Sequence, residues 1–152
     1  MERIVHCACL LLCIAAAPVA SARAQTVKLP IAEGAWVKTD TACNAAVIAH
    51  VYGGHRFGTV YFYGPDHSLG PANETEPLTR AGKASDGFTM INEGPLEVLA
   101  LPNGQAAVRA FSPSQGEQWR DTVRLCSAAS LSARMRTALT RLGLLTTTAG
   151  RP

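Results

Sequence analysis

The chain has 152 residues, of which 47% are hydrophobic and 16% charged, with a formal net charge of +3 at neutral pH. That composition excludes a disordered or fibrous chain and suits one domain with a core of its own. Seven basic residues stand against ten acidic ones between Gln25 and Asp121, whereas Thr122 onward carries five arginines and no acid; this is a mildly acidic body with a basic tail, not the clustered charge of a nucleic-acid binder.

Met1-Glu2-Arg3 opens onto a run from Ile4 to Ala20 that is apolar apart from His6 and is densest from Leu10 to Ala17. Pro18 breaks the run, and Val19-Ala20-Ser21-Ala22-Arg23-Ala24 follows it with small residues. A basic start, an apolar core and an A-x-A site make a secretory signal peptide over residues 1–24, cut between Ala24 and Gln25. Ala20-Ser21-Ala22 is the alternative site. A membrane anchor would need about 20 uninterrupted apolar residues. Lipidation is not expected, because Cys13 sits mid-core after Leu12 and Cys9 precedes the core. The expected location is periplasmic or secreted.

Two cysteines remain after the leader, Cys43 and Cys126. An exported chain meets an oxidising compartment, so this even pair reads as a disulfide. The loop it closes is long enough that the cross-link contributes about 4 kcal/mol in a chain-entropy account.

Residues 25–33 read as an extended lead-in, and the alternation from Gly34 to Thr39 predicts a short strand. Asp40-Thr41 is a turn. Residues 44–51 suit helix by their alanines and strand by Val47 and Ile48, and both remain open. Gly53-Gly54 breaks the chain before a strand over His55 to Tyr63, rich in aromatic and β-branched residues. Residues 64–77, with three prolines, read as a long loop. Strands follow over Leu78 to Ala84, Phe88 to Asn92, Leu96 to Leu101, Gln105 to Phe111 and Gln118 to Leu125. The turns between them are marked by Asp86-Gly87, Glu93-Gly94-Pro95, Pro102-Asn103-Gly104 and Ser112 to Gly116. Ser130 to Leu142 is an amphipathic helix with Ser130 as its cap and Gly143 as its stop. Leu131, Met135, Ala138, Leu139, Leu142 and Leu145 fall within an arc of about 120°. Arg134 and Arg141 stand along one edge of that stripe, and Arg136 points away.

The fold class is therefore mainly β: an antiparallel meander of six or seven strands, a curled sheet or small barrel, with one C-terminal amphipathic helix. The domain spans residues 25–145 and a flexible tail residues 146–152.

Chemical motifs are sparse. His50, His55 and His67 lie in no zinc-binding spacing, and no hydrolase elbow or phosphate-cradling loop occurs. His50 in its apolar run reads as a structural residue. Asp66-His67-Ser68 contains the residue types of a catalytic relay, but adjacent residues cannot place the base between nucleophile and orienter. Asp66, Asn73, Glu74 and Glu76 supply oxygen ligands without the spacing of a calcium loop. Asn73-Glu74-Thr75 matches the glycosylation sequon, which has no role behind a leader of bacterial style. Tyr61 and Tyr63 share one strand face, and tyrosine suits recognition. The candidate binding surface is Tyr61, Tyr63, Asp66, His67, Asn73, Glu74, Arg134 and Arg141. No residue is assigned a catalytic or metal-binding role, and no cofactor is called for.

Leu29-Pro30, the Gly34-x-Trp36-Val37 strand and Cys43 resemble the start of small exported bacterial β-sheet domains of unknown function. At the level of fold the chain also resembles periplasmic lysozyme inhibitors and lipocalin-like modules. The resemblance implies an exported β domain and carries no catalytic residues across. The expected function is a non-enzymatic module binding a protein or cell-envelope component. A lipocalin-like carrier of a small ligand, needing a deep apolar cavity, is the alternative. A hydrolase is the third reading and needs a histidine set between a carboxylate and a nucleophile from other segments.

Overall fold

A computed structural model describes residues 27–84 and 86–145. The leader, its cleavage site and the tail from 146 lie outside these residues. Nine strands form one antiparallel sheet: β1 (Gly34–Lys38), β2 (Ile48–Gly53), β3 (Arg56–Tyr63), β4 (Leu69–Pro77), β5 (Ala81–Lys83), β6 (Thr89–Ile91), β7 (Leu96–Ala100), β8 (Gln105–Ser112) and β9 (Gly116–Cys126). A single helix, α1 (Ala133–Arg141), follows. The spatial order is β4-β3-β2-β1-β9-β8-β7-β6-β5, so the two edges are strands consecutive in the chain. The sheet curls into a half-barrel that brings those edges toward each other.

Nine strands exceed the six or seven expected, and the main reason is β4. Its prolines and glycine read as a loop, yet residues Leu69–Pro77 pair with β3. An edge strand tolerates proline, because the missing N–H can face solvent. The close β3–β4 approach depends on Gly58 (φ +152°), where a Cβ would collide with the Glu74 carbonyl and lie 2.6 Å from Thr75 Cα. Residues 44–51 resolve into the end of a short 3-10 turn (Cys43–Ala45) and the start of β2. The β2–β3 hairpin turns on Gly54 (φ +57°) and His55 (φ +58°), the paired positive φ of a two-residue hairpin turn.

Asn92, also left-handed at φ +54°, ties the β4–β5 corner to the end of β6. Its Oδ1 accepts from the Thr79 N–H at 2.8 Å, and its Nδ2 donates to the Pro77 carbonyl at 2.7 Å.

The curl creates two cores on opposite faces. On the concave face Trp36, Tyr52, Phe57, Ile91, Val98, Val108 and Val123 pack together. Phe57 on β3 and Ile91 on β6 lie far apart in strand order, so their meeting marks the inside of the curl. Leu29 and Ile31 of the lead-in join this core, and the Leu29 N–H donates to the Tyr52 hydroxyl at 3.2 Å. On the convex face Ala35, Val37, Ala49, Val51, Val60 and Phe62 meet Leu131, Met135 and Leu139 of the helical segment.

The helix starts two residues later than its sequence signal. Ser132, not Ser130, is the cap, its Oγ accepting from the Met135 N–H at 3.1 Å. Ser130 instead closes a 3-10 turn, its N–H 3.2 Å from the Ser127 hydroxyl. Gly143 (φ +68°) ends the helix. The Leu144 N–H reaches the Leu139 carbonyl, and the Gly143 N–H that of Thr140, a paired closure typical of glycine-stopped helices. Cys43 and Cys126 lie at disulfide distance, with Cα atoms 5.9 Å apart across a separation of 83 residues. The pair ties the end of β9 to the turn before β2, beside the helix core.

Candidate functional site

One end of the concave face is polar, and the strand registers assemble it. His50 faces Trp36 on β1 and Thr59 on β3; Thr59 in turn faces Glu74 on β4. Asp121 pairs with Val108 and so points into the same concavity. His50 Nδ1 lies 3.3 Å from Thr59 Oγ1, and Nε2 lies 3.6 Å from Asp121 Oδ2. Lys38 Nζ bridges Asp121 Oδ1 at 2.8 Å. Trp119 stacks on the imidazole with centroids 5.9 Å apart and planes at 17°. Tyr61 donates its hydroxyl to Glu74 at 2.6 Å, and its ring meets Tyr63 edge-on at 6.2 Å.

Burial holds the His50 pKa below its usual value, outweighing the attraction of Asp121. The neutral imidazole has one donor. A carboxylate only accepts, so the proton belongs on Nε2 facing Asp121, and Nδ1 accepts from the Thr59 hydroxyl. Hydrogen bonding to Asp121 raises the Lys38 pKa, and bonding to Glu74 raises that of Tyr61. Around this network Ile48 (47%), Tyr63 (47%), Leu69 (51%) and Trp119 (39%) are exposed, four of the five exposed large hydrophobic residues among those described.

A second surface lies on the opposite face of the same strands. A groove of about 590 Å³ runs between α1 and the β3–β4 corner, with Phe62, Pro71, Ala138 and Leu142 in its apolar lining and Arg134 and Arg141 beside them. The Arg134 guanidinium lies over the Phe62 ring at 3.8 Å and donates to the carbonyls of His67 (2.6 Å) and Ser68 (2.9 Å).

The eight candidate residues therefore divide. Tyr61, Tyr63 and Glu74 belong to the concave mouth. Arg134 and Arg141 line the groove, and Arg134 is pinned to the backbone of residues 67 and 68. Asp66 is exposed on a 3-10 turn. The His67 ring donates from Nδ1 to the Phe62 carbonyl at 3.2 Å, and Ser68 Oγ donates to Pro65, so the two side chains serve the turn. Asn73 Oδ1 accepts from the Thr75 N–H and hydroxyl, at 3.2 and 2.8 Å.

Lys38, His50, Thr59, Trp119 and Asp121 were not among the sequence candidates. The His50–Thr59 pairing follows from the hairpin register that Gly54-His55 sets. Asp121 and Trp119 arrive only through the curl. Another assembly the sequence did not signal is on the convex face, where Arg109 is 5% exposed and meets Glu97 (5%) at 2.5 Å, Asp86 at 2.6 Å and Glu117 at 3.4 Å. Phe88 and Phe111 flank its guanidinium at 3.7 and 4.8 Å. Among the described residues no three His, Cys, Asp or Glu side chains are grouped to hold a metal ion, and no helix is long and apolar enough to cross a membrane. No family model matches the chain, and neither a curated protein nor a solved structure matches it significantly.

Proposed function

We propose that this chain is an exported, non-enzymatic binding module that recognises a protein or cell-envelope component through the concave mouth of its sheet. The observation that carries this reading is the cluster of Ile48, Tyr63, Leu69 and Trp119, exposed together around a hydrogen-bonded polar network. Single exposed hydrophobic residues are ordinary, but a contiguous group rimmed by polar side chains marks an interaction surface. Tyrosine and tryptophan are enriched at such surfaces. Export rests on the leader pattern, with which the Cys43–Cys126 pair is compatible. A carrier of the lipocalin kind would hold its ligand inside the curl, where Trp36, Tyr52 and Phe57 pack.

The test is a cross-linked pull-down from cell-envelope extract with the exported chain, a Tyr63→Ser/Trp119→Ser variant and an Arg134→Ala/Arg141→Ala variant. A specific partner captured by the wild type and the arginine variant, and lost by the mouth variant, is the expected result. A partner kept by the mouth variant and lost with the arginines overturns the assignment to the mouth. Intact Met1 on the exported protein overturns the leader.

A second reading is favoured by one observation: Thr59, His50 and Asp121 stand in the order alcohol, imidazole, carboxylate, which is the order of an acyl-transfer relay. Labelling of Thr59 by a fluorophosphonate would establish this hydrolase reading. An unlabelled threonine in folded protein would leave the binding reading standing.

A further inference from the structure

We propose that the groove between α1 and the β3–β4 corner is a small-molecule site for a monomeric anionic amphiphile, an apolar chain ending in a carboxylate or phosphate head. The site lies on the convex face, opposite the concave mouth, since Phe62 and its neighbours Tyr61 and Tyr63 project to opposite sides of β3.

Three features define the occupant. The first is size and surface: about 590 Å³ with Phe62, Pro71, Ala138 and Leu142 in the lining, within the range of small-ligand clefts. A groove of this kind takes an apolar body.

The second is charge. Arg134 and Arg141 both line the groove, and neither has a carboxylate within salt-bridge distance among the described residues. Thr122 onward contains no acidic side chain. The groove therefore complements an anion.

The third is a division of labour between the arginines. Seven residues apart on one helix, they stand on the same side, about 10 Å apart along the axis. Arg134 spends its Nη atoms on backbone carbonyls and its face on Phe62, so it builds the wall. No hydrogen bond or ion pair engages the Arg141 side chain among the described residues, and the residue is exposed. A guanidinium presents paired donors that fit a carboxylate or phosphate. The head group goes to Arg141, and the chain runs along the helix toward Phe62 and Pro71.

Calorimetric titration of the exported chain tests this with decanoate and decyl phosphate as monomers, decanol as the uncharged tail and propionate as the tailless anion. The expected result is that one or both charged amphiphiles bind at least about tenfold more tightly than decanol and propionate, with the advantage shrinking at high salt. The ratio of decanoate to decyl phosphate affinity distinguishes a carboxylate from a phosphate head. Arg141→Gln should remove the advantage of the charged head and leave decanol binding unchanged. Thr137→Trp, at an exposed groove position outside the core, should abolish binding of both at an unchanged melting temperature. Equal affinities for decanoate, decyl phosphate and decanol would overturn the proposal. So would an Arg141→Gln variant within twofold of wild type, or binding to phosphatidylglycerol vesicles with none to the monomers.

Discussion

The convex face of the sheet is closed in two ways. Over β1–β3 it is closed by α1, with Met135 and Leu139 fully buried against Ala35, Val37, Val51 and Val60. Over β7 and β8 its cover is built around a single arginine, sandwiched between Phe88 and Phe111 and held by Glu97, Asp86 and Glu117. The first cover is made of many small dispersion and transfer contributions, and any one side chain removes only its share. The second rests on charge removed from water, so its parts depend on one another. The helix cover also has the Cys43–Cys126 link at its margin, and among the described residues the arginine cover has no such tie.

Cutting that link is the severest test of the helix side. Cys43→Ser/Cys126→Ser opens a loop with a sequence separation of 83 residues, which costs the same roughly 4 kcal/mol or slightly more in a chain-entropy account. Urea unfolding of the wild type with and without reductant should give the same difference. A midpoint indifferent to reductant would show that the two cysteines contribute nothing to the cover.

Arg109→Ala comes next, at about 4 kcal/mol, because Glu97 is then buried without its partner. The comparison sharpens with the double variant Glu97→Leu/Arg109→Met, which should recover most of that loss by making the second cover apolar like the first. A double variant as unstable as the single would mean that stacking on Phe88 and Phe111, not charge pairing, holds this half. Leu139→Ala should cost about 3 kcal/mol, and its effect should add to that of Arg109→Ala, since none of the side chains that hold Arg109 belongs to the core around Leu139.

The two covers also differed in how far the sequence revealed them. The helix was legible because its apolar positions recur at helical spacing and Gly143 marks its end. Its start was displaced by two residues because Ser130 and Ser132 both suit a cap, and only Ser132 reaches the N–H of Met135. The meander from β5 to β9 was legible from its turn residues. Strand β4 was not, since Gly70, Pro71 and Pro77 carry the composition of a loop and only its place at the sheet edge makes it a strand. Arg109 was invisible as a site. Its partners Asp86, Glu97 and Glu117 come from other strands and turns, and no spacing along the chain encodes their meeting. The mouth was half legible: alternation put Tyr61 and Tyr63 together, while His50 needed the hairpin register and Asp121 the closure of the curl.

Smaller effects probe the ends of the first cover. Ser132→Ala removes the helix cap and should cost about 1 kcal/mol, with Ser130→Ala costing less, measured by thermal unfolding. A larger loss for Ser130→Ala would return the cap to the position the sequence favoured.

The smallest predicted effect carries the contrast to the concave face, where a charge is avoided rather than paired. His50 titrates below its ordinary value in the folded chain because burial under Trp119 disfavours the imidazolium. The unfolded chain therefore binds more protons than the native one below about pH 6.5, and stability rises with pH wherever that holds. The His50 contribution should be fully present above about pH 6.5 and decline as pH falls toward the lowered folded pKa. Urea midpoints at successive pH values should show this decline, and His50→Gln should flatten it. Asp121 opposes the shift but does not cancel it, so Asp121→Asn should steepen the decline by removing the carboxylate that favours the protonated ring. A wild type whose stability instead rises as pH falls through about 6.5, with that rise lost in Asp121→Asn, would reverse the assignment and make His50 a charged partner of Asp121, the same chemistry that Arg109 uses on the other face.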